Sequence, residues 1–236
     1  MNALCSRFLT ALNNIDSFLR QQLGAGRAEG FEDLVFRYAE TQPYVRDRKW
    51  ELRKYGWLRN AIVHHYRDQE TIATPHEETV KRLEAISSYL LNPPTIGSLF
   101  NEPVATCGLD TSVVEAAKKM FDASFSQLPV YQGSDFQALL TTDTITRWLA
   151  ACFDLDGAII EHTPVQTVLG YAETSDNYVL LKPTNPVGEA VNCFEKAESR
   201  GRRLYAILIT VDGTNRHPPS GIITPFDMPR LYDAIP

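Results

Sequence analysis

Long apolar runs are missing from this 236-residue chain. None reaches the roughly 20 apolar residues that a helix needs to span a bilayer. The first twenty residues, MNALCSRFLTALNNIDSFLR, also lack the uninterrupted apolar stretch and small-residue cleavage site of a secretory leader. The expectation is a cytoplasmic protein with no membrane partner. Cysteine is scarce. Cys5, Cys107, Cys152 and Cys193 are scattered, with no Cys-x-x-Cys and no Cys/His spacing suited to a metal. They are expected as reduced, mostly buried thiols. His76, His162 and His217 have no partners at ligand spacing, so surface or loop histidines and no metal are expected.

What is present suits a globular protein. Hydrophobic residues make up 44% and charged residues 22%, and the length is enough for two domains with cores of their own. The charge is uneven. Residues 1–100 carry 13 Lys and Arg against 12 Asp and Glu, whereas residues 101–236 carry 10 against 17. A polyanion is therefore repelled by the second half as a whole and must use the first half or a local pocket.

The first half reads as helices. Leu4, Phe8, Leu9, Leu12, Ile15, Phe18 and Leu19 recur at helical spacing and stop before Gly24. A second helix is predicted over about Glu29–Thr41, ended by Pro43, and a third over about Tyr44–Tyr66. Thr74-Pro75-His76-Glu77 has the form of a capping box and predicts a fourth helix to about Leu91. Asn92-Pro93-Pro94 reads as a stop and a linker.

Beyond it the period changes and repeats. Val104–Cys107 is strand-like, followed by a helix over Ser112–Phe121, strands at Gln127–Tyr131 and Phe136–Leu140, and a helix to about Phe153. The same order returns as strand Tyr178–Leu181, helix Pro186–Ser199, strands Leu204–Val211 and Gly221–Thr224, and a helix towards Tyr232. Two such small units should pack on each other to bury their apolar faces. The predicted fold is α + α/β: a four-helix bundle over residues 1–93, then two packed βαββα repeats over residues 95–236. Repeat one covers about 95–155 and repeat two about 160–236.

The third helix carries Arg46, Arg48, Lys49, Arg53, Lys54 and Arg59, interleaved with Trp50, Tyr55 and Trp57, against Asp47 and Glu51 alone. Such a face either binds an RNA backbone, with Arg46, Lys49, Arg53 and Lys54 on phosphates, or is a solvated face over core aromatics. The stretch Arg59-Asn60-Ala61-Ile62-Val63-His64-His65-Tyr66 resembles the Arg-x4-His-x-Tyr signature of HEPN domains, many of which are metal-independent ribonucleases. The resemblance implies a HEPN-like bundle whose catalytic set is Arg59, Asn60, His64 and Tyr66. It also implies a homodimer. In such chemistry the guanidinium stabilises phosphorane charge and the imidazole moves a proton, leaving a cyclic phosphate. Arg59 and His64 lie about 140° apart on one ideal helix, so convergence requires a helix break or a second copy. His65 competes with His64, and the spacing favours His64. HEPN folds also serve as inactive scaffolds, and in related toxin–antitoxin systems the motif tyrosine, here Tyr66, is a nucleotidylation target.

Residues 96–236 resemble a tandem pair of CBS domains, a common adenine-nucleotide sensor. The resemblance rests on the lead-in Thr95-Ile96-Gly97-Ser98-Leu99-Phe100 and on Gly221-Ile222-Ile223-Thr224-Pro225-Phe226-Asp227, which fits the family's Gly-h-h-Thr/Ser-x-x-Asp. It implies that Thr224 and a helix N-terminus receive phosphate and that Asp227 bonds both ribose hydroxyls. The same residues read equally as a helix start, with Thr224 as N-cap and Pro225 at N1. The first repeat keeps Thr141, which the resemblance makes a further nucleotide-binding residue, but has Thr144 where the acid should be. Its Asp143 stands one position early and would point about 100° away. One good nucleotide site is expected, with Arg200, Arg202, Arg203 and Arg230 near enough in sequence to offer phosphate contacts.

The functional expectation is a ribonuclease gated by an adenine nucleotide (AMP, ADP or ATP) and needing no metal. Its rivals are a non-catalytic nucleotide sensor whose helical part dimerises or binds a partner, and a toxin silenced by a separate antitoxin.

Overall fold

Six buried positions define the first helix: Cys5, Phe8, Ala11, Leu12, Ile15 and Leu19. They recur every three or four residues, so an α-helical turn lines them up as one stripe. A computed structural model of the chain describes residues 2–64, 73–152, 162–173 and 178–236, with the His64 side chain outside the description. The chain divides into two compact units, Met1–Pro94 with Tyr232–Pro236, and Thr95–Leu231. Among the described residues no helix is long and apolar enough to cross a membrane.

The first unit holds α1 (Ala3–Leu23), α2 (Phe31–Ala39), α3 (Pro43–His64) and α4 (Glu77–Leu91). The Asn2 side chain caps α1 by accepting from Leu4 N at 3.1 Å. Gly24 ends it at φ +60°, a left-handed conformation that costs glycine nothing. Pro43 sits at the first position of α3, where its missing N–H is no loss. The predicted Thr74–Glu77 capping box does not form. Here α4 starts two residues later with His76 at its N-cap, and Glu77 turns forward to Lys81 (3.7 Å) and towards Arg7 (4.0 Å) instead of back to Thr74. The core runs through all four helices, with Leu34, Leu52, Ile62, Val80 and Leu83 packed on the α1 stripe. Burying each such side chain contributes roughly 1.5–3 kcal/mol. Arg7 clamps α1 to α4 through a two-pronged bond to Glu84 at 2.9 and 2.7 Å.

The second unit contains two three-stranded sheets of identical plan. β1 (Cys107–Gly108) runs parallel to β2 (Gln127–Gln132), which pairs antiparallel with β3 (Asp135–Thr141). β4 (Tyr178–Leu181) is parallel to β5 (Ala206–Ile209), which pairs antiparallel with β6 (Gly221–Ile223). The register repeats as well. Cys107 faces Val130 as Leu181 faces Ile209, and Leu128 faces Leu140 as Ile207 faces Ile223. The helices α6 (Val113–Ala123) and α9 (Val187–Ser199) follow the first strands, and α7 (Thr142–Ala151) and α10 (Met228–Asp233) the last. The predicted strand over residues 104–106 is absent, and the Thr106 carbonyl accepts from Lys119 Nζ at 2.7 Å. The predicted Leu204–Val211 strand shrinks to Ala206–Ile209. As expected, the repeats bury their faces on each other. Tyr131, Phe136 and Leu139 of the first share a core with Ala206 and Leu208 of the second.

The lead-ins are exchanged. α5 (Ile96–Leu99) precedes repeat one, yet its backbone bonds to repeat two: Ile96 N to Asn185 O at 2.9 Å and Gly97 N to Pro183 O at 2.9 Å. α8 (Val165–Leu169) precedes repeat two and bonds to repeat one: Val165 N to Thr111 O at 2.8 Å and Gln166 N to Leu109 O at 3.0 Å. Val165 and Val168 accordingly complete the first repeat's core beside Val113, Leu128 and Trp148.

Glycine permits this exchange. A Cβ on Gly221 would lie 2.4 Å from Phe100 O, and one on Gly97 would lie 2.6 Å from Pro183 Cβ. Gly221→Ala and Gly97→Ala should each lower stability by about 1–3 kcal/mol through overpacking. Gly26→Ala, with open space at its Cβ, should not. Urea denaturation of the three variants checks this.

Candidate functional site

β6 ends in the buried Ile223, and the chain then turns through Thr224 into a 3₁₀ turn at Pro225–Asp227. Three short bonds close that junction. Thr224 N donates to Asp227 Oδ2 at 2.7 Å, and the Thr224 hydroxyl donates to the same oxygen at 2.9 Å. Asp227 N returns to Thr224 O at 2.9 Å. The helix-start reading therefore holds in atomic detail. It leaves chemistry unused. A carboxylate accepts about four hydrogen bonds, and the two described here both fall on Oδ2, so Oδ1 keeps room for two hydroxyl donors. The Thr224 hydroxyl has spent its proton on Asp227, and any phosphate must compete for it.

The arginines expected at this site disperse. Arg230 donates to Leu99 O and stacks on the Phe100 ring at 4.6 Å, holding the end of α5. Arg203 lies 3.3 Å from Asp143, and Arg200 and Arg202 are exposed.

In the first repeat the corresponding junction is sealed. Thr141 is 3% exposed, and its hydroxyl oxygen accepts from Thr144 N at 3.1 Å and lies 3.0 Å from the Thr144 hydroxyl. A neutral hydroxyl thus stands where Asp227 stands in the second repeat. Thr141, read from the sequence as a ligand contact, serves as the N-cap of α7. Asp143 points elsewhere, as its helical offset requires. It accepts from the Tyr205 hydroxyl at 2.7 Å and faces Arg203, both from repeat two. Burial, and after it the Asp143 bond, push the Tyr205 phenol above its usual range. No local pattern marks this link, because Asp143 and Tyr205 lie 62 residues apart.

In the helical unit the predicted catalytic set is only partly placed. Arg59 Nη1 donates to Asn60 Oδ1 at 3.2 Å. His64 ends α3, but its imidazole, His65 and Tyr66 lie outside the described residues. Arg59 and Asn60 line a cavity of about 420 Å³ between α1, the start of α2 and α3, together with Trp57, Arg53 and Asn13.

The expected RNA face is largely compensated. Arg53 Nε pairs with Glu32 at 2.7 Å and its guanidinium stacks on Trp57 (4.8 Å) and Trp50 (5.4 Å). Arg46 lies 3.7 Å from Asp47, and Lys49 sits over the Phe36 and Trp50 rings. Lys54 is exposed. Counting acids along α3 alone missed Glu32, which α2 supplies. All four cysteines are free thiols. Cys5, Cys107 and Cys152 are buried, and burial raises the Cys107 thiol to about 11, leaving it protonated and unreactive at neutral pH. Among the described residues no three His, Cys, Asp or Glu side chains are grouped to hold a metal ion.

Residues 96–151 match the family model of the CBS domain. No curated protein matches the chain. Among solved structures, the chain is similar to a CBS domain-containing membrane protein from Sphaerobacter thermophilus, at 20% identity over 65% of this chain and 96% of that one, with a TM-score of 0.45. It is also similar to the CBS domain pair of protein MJ0100, whose structure holds 5′-methylthioadenosine and S-adenosyl-L-methionine. That match has 18% identity over 60% of this chain and 97% of that one, with a TM-score of 0.44. A CBS domain-containing protein of unknown function from Kribbella flavida matches at 16% identity over 58% and 97%, with a TM-score of 0.45.

The two junctions differ in what their caps are made of. Asp227→Ala removes a charged partner of Thr224 and should lower stability by about 0.5–2 kcal/mol without any ligand. Thr144→Val removes a neutral hydroxyl but leaves the Thr141 cap bond to the backbone, and should cost less. Thermal denaturation of the two variants compares them.

Proposed function

We propose that residues 95–236 act as a CBS pair that binds an adenine nucleotide in the second repeat, through Thr224 and Asp227. The observation that carries the reading is the spare accepting capacity of Asp227, at the end of a strand whose register copies that of a repeat with a CBS family match. A ribose offers two adjacent hydroxyl donors, which suits a carboxylate oxygen with two free lone pairs. Thr224 and the amides of the turn are the nearest donors for a phosphate. The first repeat offers neither. Its acid is replaced by Thr144, and Asp143 is committed to Tyr205 and Arg203. The pair therefore takes one nucleotide well and a second poorly.

The helical unit is the part whose behaviour the nucleotide would set. Nothing among the described residues adds to the Arg59-x4-His64 spacing as grounds for RNA cleavage, and cleavage forms no part of the proposal.

Calorimetry with AMP, ADP and ATP tests this reading. Wild-type protein should bind at least one of them with a stoichiometry near one. Losing charge-assisted bonds to the ribose costs about 1.5–3 kcal/mol, so Asp227→Ala should weaken binding about 10- to 100-fold. Asp227→Asn, which keeps an acceptor for the cap, should be as stable as wild type yet still bind weakly. Thr144→Asp should raise affinity at the first site. No binding at millimolar nucleotide, or unchanged binding by both Asp227 variants, overturns the assignment.

A further inference from the structure

The cavity beside α3 is unusual in its charge pairing. Arg20 reaches it but is held by Asp16 at 2.7 Å and by the Gly26 and Glu29 carbonyls. Arg53 is held by Glu32 at 2.7 Å, and Glu29 is paired with Arg37. Among the described residues, every cation on the wall therefore has a carboxylate partner except Arg59. Among the described residues its only hydrogen bond is to the side-chain amide of its neighbour Asn60, at 3.2 Å. A guanidinium has five donors in a planar fork, so most of its capacity is unused.

Two residues before Arg59, Trp57 also lines the cavity and is 54% exposed. The Arg53 guanidinium sits 4.8 Å over its ring, anchored in turn by Glu32. The indole is thus anchored by Arg53 while more than half of it stays accessible, so a flat ligand can stack on it at small entropic cost. The volume, about 420 Å³, falls within the range of about 300–1,000 Å³ usual for small-molecule sites.

We propose that this cavity binds a small aromatic carboxylate, with Arg59 taking the carboxylate in a forked pair and the ring stacking on Trp57. The charge of the wall selects the class. Asp16, Glu29 and Glu32 are each neutralised, so Arg59 alone supplies a net positive charge, enough for one anion. A phosphate monoester carries nearly two negative charges at neutral pH, more than the single charge of Arg59 balances. Asn13 and Asn60 supply neutral donors and acceptors at the same wall for polar groups on the ring edge. The site is separate from the Thr224–Asp227 junction and stands or falls independently of it.

The test uses the full chain and calorimetry with indole-3-acetate and benzoate. Acetate, indole, uridine 5′-monophosphate and an oligouridylate run in parallel. Indole-3-acetate should bind at submillimolar concentration, at least about 10-fold more tightly than acetate or indole, since each of these lacks one of the two contacts. Arg59→Gln and Trp57→Leu should each weaken it about 10-fold or more, and Arg59→Lys, which keeps charge but not the fork, should fall between. Lys54→Gln, also exposed on α3, should bind like wild type. Thermal melts keep the variants comparable, and Trp57→Phe, which retains a ring and should retain binding, stands in if Trp57→Leu is unstable. The proposal is overturned if neither aromatic carboxylate binds at 10 mM, or if indole binds as well as indole-3-acetate. Unaltered binding by Arg59→Gln also overturns it, as does tighter Arg59-dependent binding of the uridine phosphate or the oligouridylate. None of the probes contains adenine, so failure here leaves the nucleotide reading of the repeats intact.

Discussion

The exchange of lead-in segments is the constraint on which the second unit rests. Val165 and Val168 come after the first repeat in the chain but fill its core, while Ile96 bonds into the second. Neither repeat can close its apolar interior from its own residues. The backbone bonds that fix the exchange are the same on both sides, down to the pair of isolated bridges at Thr95–Pro186 and Ser112–Pro164. Shared contacts of this kind make the two repeats interdependent: loosening one lead-in opens the core of the other repeat.

Within that symmetric frame the strand-to-helix junctions have diverged. At the second, a carboxylate closes the cap and keeps unused acceptors. At the first, a neutral threonine hydroxyl stands in that place, without the carboxylate's charge or its second oxygen. The acid that the first junction lacks is one residue away, and that single step turns it by about 100° into the other repeat. One position thus separates a carboxylate that caps its own junction from one that ties the two repeats together.

Much of the fold was legible in the sequence because it follows from periodicity. The α1 stripe, the stop of α2 before Pro43 and the strands at Gln127–Gln132 and Tyr178–Leu181 are local patterns. Thr224 and Asp227 were legible for the same reason, being three residues apart. The misreadings are places where distant residues decide. Thr74 lost its capping role because Arg7 and Lys81 attract Glu77, and residues 104–106 found no strand partner. The α3 face looked more basic than it is because Glu32 comes from another helix. The exchanged lead-ins and the cavity beside Arg59 were out of reach altogether, since three-dimensional pairing alone creates them.

Arg230 gives the Thr224–Asp227 junction a lever. It lies one turn beyond Asp227, and it grips the last carbonyl of α5 while lying flat on the Phe100 ring. Phe100 O in turn presses against the space above Gly221, at the other end of the same short strand–turn segment. The segment is therefore held to the start of the unit at two points on either side of Thr224. A stiff body gripped at both ends does not absorb a displacement in its middle; it passes it on. A shift of Asp227 by a fraction of an ångström would be delivered to α5, two residues after Pro94, and not dissipated where it arose.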